Sequence, residues 1–272
     1  MRFRTLYLAA LLTGAIVMPV EAGVIYDSIP TVLPANVPSL GYQATSTSEF
    51  GGLVSFATSY RDLTDVTLLM SDWAVASEQH SLDPTWQHAI TLNLYSVNTS
   101  GAIPTPGALI ATRTATFDIP WRPESSGGCT GGWLASDGLC HGGIAFTVTF
   151  DFSGTTVPDQ LIYGVAFNTN NWGYVPIGKT GPYESLNFGL STSNPIVGSN
   201  PQPDLAYWNT AYAGFYSDGG AGGTSTFRAD TNWAPYSGGI EFEATAPEPG
   251  ASWLLVAGLA ALVWRKHHLH QV

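Results

Sequence analysis

From residue 90 to residue 95 the side chains alternate without a break. Ile90, Leu92 and Leu94 fall on one side, Thr91, Asn93 and Tyr95 on the other. Successive side chains of an extended chain point to opposite faces, so a period of two predicts a strand over 89–97 with one face in a core. A second half-buried strand is predicted over 63–74, where Val66, Leu68 and Met70 alternate with Thr67, Leu69 and Ser71, and a third over 109–119. Shorter runs predict strands at 24–28, 44–49, 53–59, 144–152, 160–168, 207–216, 224–228 and 240–244, with Gly51-Gly52 splitting the second from the third. The segment 29–38 carries Pro30, Pro34 and Pro38 and predicts a crossing outside any central sheet, because proline cannot donate to a ladder. Residues 80–86 look like a polar connection, and Gly101, Pro104, Pro106 and Gly107 like a turn. Long irregular stretches are expected at 120–143 and 168–203. No long helical periodicity appears between the ends. The pattern predicts an all-β fold, a single antiparallel β-sandwich of jelly-roll or Greek-key type.

The two ends follow other rules. Met1-Arg2-Phe3-Arg4, an apolar run over 6–17 and the small-residue site Val20-Glu21-Ala22 predict a signal peptide over 1–22, and so export through the Sec translocon. At the other end Pro247-Glu248-Pro249-Gly250 precedes an uncharged apolar run of 14 residues, 251–264, and then Arg265-Lys266-His267-His268. A stable span needs about 20 residues, so this is a short transmembrane helix and a marginal anchor. Its basic flank is expected on the cytoplasmic side. Residues 23–246 remain as one domain.

The C-terminal arrangement resembles the PEP-CTERM sorting signal of exported proteins of Gram-negative bacteria. The likeness rests on Pro247, Glu248, Pro249, Gly250, the short apolar run and the pair Arg265-Lys266. It implies a chain held in the inner membrane until an exosortase cleaves near the Pro-Glu-Pro. The chain then passes to the cell surface or extracellular matrix of bacteria that make exopolysaccharide. The central region is also similar to a recurrent group of such exported proteins, through Asp27-Ser28-Ile29-Pro30, Gly41-Tyr42-Gln43-Ala44-Thr45-Ser46, the run 90–95 with the Pro106-Gly107 turn, and 159–168. That likeness implies a β-rich extracellular domain and brings no catalytic residues.

Charge narrows the partners. The chain has 9 Lys+Arg against 20 Asp+Glu; without Arg2, Arg4, Arg265, Lys266, Glu21 and Glu248 the domain keeps 5 and 18, a net of −13. Neutralising phosphates takes Lys and Arg, so no nucleic acid is expected as a partner. Neutral sugars, exopolysaccharide among them, and divalent cations are more compatible, and an acidic surface also keeps an exported protein soluble. Cys129 and Cys140 are the only cysteines, and outside the cell they are expected to pair. Closing so short a loop contributes about 2–3 kcal/mol. Zinc is the competing idea, with His141 adjacent, but two thiols and one imidazole leave a tetrahedral set incomplete.

Candidate chemistry is sparse. Glu241 and Glu243 sit at i and i+2 about Phe242 on one strand, near the spacing of about 5–5.5 Å that a retaining glycosidase needs. The competing expectation is an ordinary strand with both carboxylates in solvent and Phe242 inward. No Gly-x-Ser-x-Gly elbow, no His-Glu-x-x-His and no P-loop occurs. His80, His88 and His141 are scattered, and 219–223 suggests a flexible hairpin tip. Among Trp73, Trp121, Trp133, Trp172, Trp208 and Trp233, the loop residues Trp121, Trp133 and Trp172 are the candidates for stacking on sugar, while Trp73 and Trp208 are expected in the core. Asp137 and Asp218, each before a glycine, make calcium a weak cofactor candidate beside their ordinary role in turns. No other cofactor is expected. The expected function is that of a non-enzymatic surface or exopolysaccharide-matrix protein, glycan-binding through exposed aromatics. The alternatives are a secreted glycoside hydrolase using Glu241 and Glu243, and a purely structural or adhesive protein.

Overall fold

The computed structural model describes residues 22–168 and 185–245, most of them in strands. In chain order these are β1 (Ala22–Asp27), β2 (Ser39–Gly41), β3 (Thr47–Ser55), β4 (Asp62–Asp72), β5 (Thr85–Asn98), β6 (Thr105–Pro120), β7 (Trp133–Leu134) and β8 (Cys140–His141). β9 (Ile144–Thr156), β10 (Gln160–Phe167), β11 (Leu186–Ser191), β12 (Ala206–Thr210), β13 (Arg228–Asp230), β14 (Ser237–Gly238) and β15 (Ile240–Thr245) follow. One 3-10 turn, Ala213–Phe215, interrupts them.

Every pairing is antiparallel. The first sheet is built on β4. β9 lines one of its edges, while β15 and β11 share the other, β15 against Asp62 to Leu68 and β11 against Met70 to Asp72. β1 continues the sheet beyond β15, and β2 and β14 continue it beyond β11. The second sheet runs β13-β12-β3-β10-β5-β6, and β7 with β8 makes a separate ribbon. The alternation of β5 is realised: Ile90, Leu92 and Leu94 are fully buried in one apolar cluster with Leu68, Met70, Phe188 and Phe242 of the first sheet. Aromatic pairs cross between the sheets, Phe50 to Phe188 at 6.2 Å, Phe117 to Phe150 at 4.9 Å and Tyr163 to Phe242 at 6.4 Å. The sheets therefore pack face to face, and each such pair adds about 0.5–1.5 kcal/mol beyond its buried area.

Several boundaries differ from the sequence expectation, each for a physical reason. β3 runs straight through Gly51-Gly52, and 44–46 is a turn in which Thr45 N donates to Gly41 O. A Cβ on Gly51 would lie 1.7 Å from Tyr163 O, so the glycine allows close strand approach and does not break the strand. β4 is half-buried only at its start. Leu69 and Ser71, on its outer face, are fully buried because 29–38 lies across them: Val37 packs with Leu69 and Ala145, and Ser71 Oγ donates to Asn36 Oδ1 at 2.8 Å. The proline-rich segment stays outside the ladder, as predicted, but covers the sheet. β5 begins at Thr85 and buries Trp86, so 80–86 is only partly a connection. β6 already includes Pro106 and Gly107. β11 lies inside the stretch expected to be irregular, with all six residues buried. β12 stops at Thr210 and β13 starts only at Arg228, shorter and later than the runs 207–216 and 224–228. No described helix is long and apolar enough to cross a membrane, and the segments 1–21 and 247–272 lie outside the described residues.

Candidate functional site

Residues 120–143 leave the end of β6 and return at β9. Cys129 and Cys140 are joined, with Cα atoms 5.6 Å apart, as expected. Next to the bridge Trp133 pairs with His141, and Gly138 turns the ribbon at φ +79°, a left-handed conformation suited to glycine. Asp137 fastens that turn: its Oδ1 accepts from Leu139 N at 2.9 Å and its Oδ2 from His141 Nε2 at 2.8 Å. These donors, Leu139 N first, hold its carboxyl below the usual range. Both oxygens are thus engaged by the protein in a structural turn.

The tryptophans are redistributed. Trp121 is buried, stacked on Trp86 at 5.6 Å, and its Nε1 donates to Asp83 O. It cannot serve as an open binding platform. The inward alternation of β6 carries on past the strand end, from Ile119 to Trp121, which a loop assignment by sequence overlooks. Trp73, expected in the core, is 43% exposed. It follows the last residue of β4 on the outer side, where its Nε1 donates to Ser71 Oγ at 3.0 Å. Arg122 Nε donates to Trp73 O at 2.7 Å and fixes the backbone there. The Gly142-Gly143 backbone lies against the Trp73 indole; a Cβ on Gly143 would come within 2.4 Å of its Nε1. Trp133, half-buried, donates from Nε1 to Gly143 O at 2.9 Å, with its ring 6.0 Å from His141. Trp73 and Trp133 therefore hold the same two-glycine strip from two sides. Trp208 is core, as expected, and Trp233 is half-buried against Phe50 and Trp208. Trp172 lies outside the described residues.

The other candidates resolve individually. Phe242 is fully buried between Glu241 and Glu243, which sit half-buried on the outer face with Asp27 opposite Glu241. Burial first, then repulsion from Asp27 and Glu243, raises the Glu241 carboxyl. Asp218 accepts from Arg228, Gly220 N and Gly222 N, and the Arg228 hydrogen bond is the main cause that pulls it down to about 2. The 219–223 run is thus a loop closed around a carboxylate, not a free tip. Among the described residues no three or more His, Cys, Asp or Glu are placed to hold a metal. His80 is exposed in a turn. His88 is 2% exposed in the core beside Trp86 and Phe167. Burial lowers its pKa, which the nearby Asn168 backbone offsets only in part.

Chemically, the site offers the 43% exposed Trp73, the half-buried Trp133 and the His141–Asp137 pair on a frame fixed by a disulfide. Such a surface suits stacking of a flat, weakly polar ring such as the apolar face of a sugar. Comparison with family models, with curated proteins and with solved structures finds no match to this chain.

Proposed function

We propose that this chain is an exported surface or exopolysaccharide-matrix protein that holds neutral glycan, without hydrolysing it, on the Trp73–Trp133 surface. Segments 1–22 and 247–272 act as signal peptide and PEP-CTERM signal, the latter a short transmembrane anchor awaiting an exosortase. The successive crossings of β3, β4, β5, β9, β10, β11 and β12 between the two sheets support a jelly-roll-like sandwich between those signals. The observation that carries the binding role is the 43% exposure of residue Trp73 on a backbone strip fixed by Trp133 and the disulfide. A large indole left open at a rigid site supplies contact area at low entropic cost.

The test is retention of the purified protein on the exopolysaccharide of its source bacterium, with released reducing ends assayed in parallel. Retention without release, reduced at least tenfold by Trp73→Ala, is the expected result. Release that disappears in the double variant Glu241→Gln, Glu243→Gln would replace this proposal with the glycosidase. No retention and no release would leave a structural surface protein. Loss of retention with a chelator would add calcium to the site.

A further inference from the structure

A sheet edge is a template for a further strand, and folded chains guard their edges with short strands, kinks, covering segments or charges. Among the described residues most edges of this domain are guarded. β2, β13 and β14 have three residues or fewer. β1 is covered on its outer side, where Asp27 N donates to Val197 O, Ile196 N to Asp27 O and Ala57 N to Ile25 O. β9 is met at its start by the 29–38 segment, with Ala145 N donating to Ala35 O. It also kinks after Asp151, where Ser153 N turns onto Asp151 Oδ1 and Gly154 has φ +80°.

β6 has no such guard. It ends the second sheet and, among the described residues, pairs with β5 alone, in unbroken register from Ala111 to Pro120. The strand holds no lysine, and no proline between Pro106 and Pro120. Its two charges are engaged within the chain. Arg113 lies over the Phe152 ring at 5.2 Å, and it donates from Nη2 to Thr155 Oγ1 at 3.3 Å and from Nη1 to Thr112 O at 3.0 Å. Asp118 Oδ1 accepts from Gln87 Nε2 of β5 at 3.4 Å. The core is also open along this edge. Ile90, Leu92 and Leu94 of β5 are fully buried, whereas the inward Ala111, Ala115 and Phe117 of β6, and Phe146 of β9, pack on the core only half-buried.

An extended chain completes such an edge, and β6 is complementary to itself. Consider an antiparallel pair of β6 strands about a two-fold axis at Ala115, with both inner faces kept inward. Thr114 then stands opposite Thr116, Thr112 opposite Asp118 and Arg113 opposite Phe117, so that no like charges face each other. The half-buried Ala115 and Phe117 of the two copies close the core against each other.

We propose that the free edge of β6 is a docking surface for a second copy of this chain, which adds β6 to β6 and joins two six-stranded sheets into one across a two-fold axis. The pairing stands whether or not the protein holds glycan. In a matrix it would set two Trp73 surfaces on one particle and raise avidity for a polymer.

The test is sedimentation velocity of the purified full chain between about 1 and about 100 μM, with amide exchange over 111–119 followed at both extremes. Over this range the mass is expected to rise from 28.9 kDa to twice that value. Amides of β6 are expected to exchange at least tenfold more slowly at the upper concentration. Ala115→Lys sets two ammonium groups against each other on the inner side of the axis. The double variant Thr114→Lys, Thr116→Lys gathers four on the outer side, at exposed positions whose side chains do not enter the core. Each variant weakens association at least tenfold, and the double variant carries the test where Ala115→Lys fails to fold. A monomer at every concentration overturns the proposal. So does a dimer that survives the double variant, or one whose β6 exchange is independent of concentration, since the contact then lies elsewhere in the chain.

Discussion

At the scale of single residues, burial decides which side chains are free to act. His88 is 2% exposed, so burial favours its neutral form and lowers its pKa, which the Asn168 backbone offsets only in part. The unfolded chain has the ordinary value of about 6.5. Stability from this residue is complete above that value and is lost as pH falls below it toward the folded pKa, with a slope approaching about 1.4 kcal/mol per pH unit. His88→Phe is expected to remove that part of the acid sensitivity, and urea titrations at pH 7 and pH 5 measure it. An unchanged difference between the two pH values would place the sensitivity elsewhere. The tryptophans show what sequence reasoning could reach at this scale. Trp208 is in the core, as its place in a strand suggests, while Trp133, a stacking candidate by its place in a loop, is half-buried. Trp121 and Trp73 exchanged roles because side-chain direction continues past strand ends, which composition does not register. The signal that could have flagged Trp73 was Gly142-Gly143, a pair with no side chains to keep an indole away.

At the scale of elements, alternation was legible wherever a strand has one buried face. β5 and β15 match it closely. β4 and β11 escape it at least in part, because cover on both faces erases the period of two, and β11 was hidden in what looked like a long loop. Glycine was the other source of error, taken for a break where it permits contact. Gly51→Ala would bring its Cβ within 1.7 Å of Tyr163 O. Backbone cannot yield as a side-chain tip does, so the β3–β10 pairing must shift, at a cost of roughly 3 kcal/mol or more. Chemical denaturation measures it; a loss under 1 kcal/mol would mean that the two strands separate freely. The disulfide was readable from cysteine count and compartment. Replacing both cysteines by serine is expected to cost about 2–3 kcal/mol. It should also loosen Trp133, seen as faster amide exchange over 126–141 than in the sheets; uniform exchange would show that the ribbon holds without its bridge.

At the scale of the molecule, the parts serve one task. Two sheets share a core of crossing aromatics. In the proposed account, Trp73 and the segment 120–143 carry the binding surface. A net charge of −11 over the whole chain fits the proposed neutral partner better than an anionic one. The export signals proposed at 1–22 and 247–272 rest on linear patterns, which are read from the sequence without a fold.

Retention of wild-type protein and of Trp73→Ala on exopolysaccharide, at equal stability, tests the central claim most directly. The account predicts that the wild type is held, that no reducing ends appear, and that Trp73→Ala elutes at least tenfold more readily. Equal retention of the two proteins, or sugar released by the wild type, would contradict it.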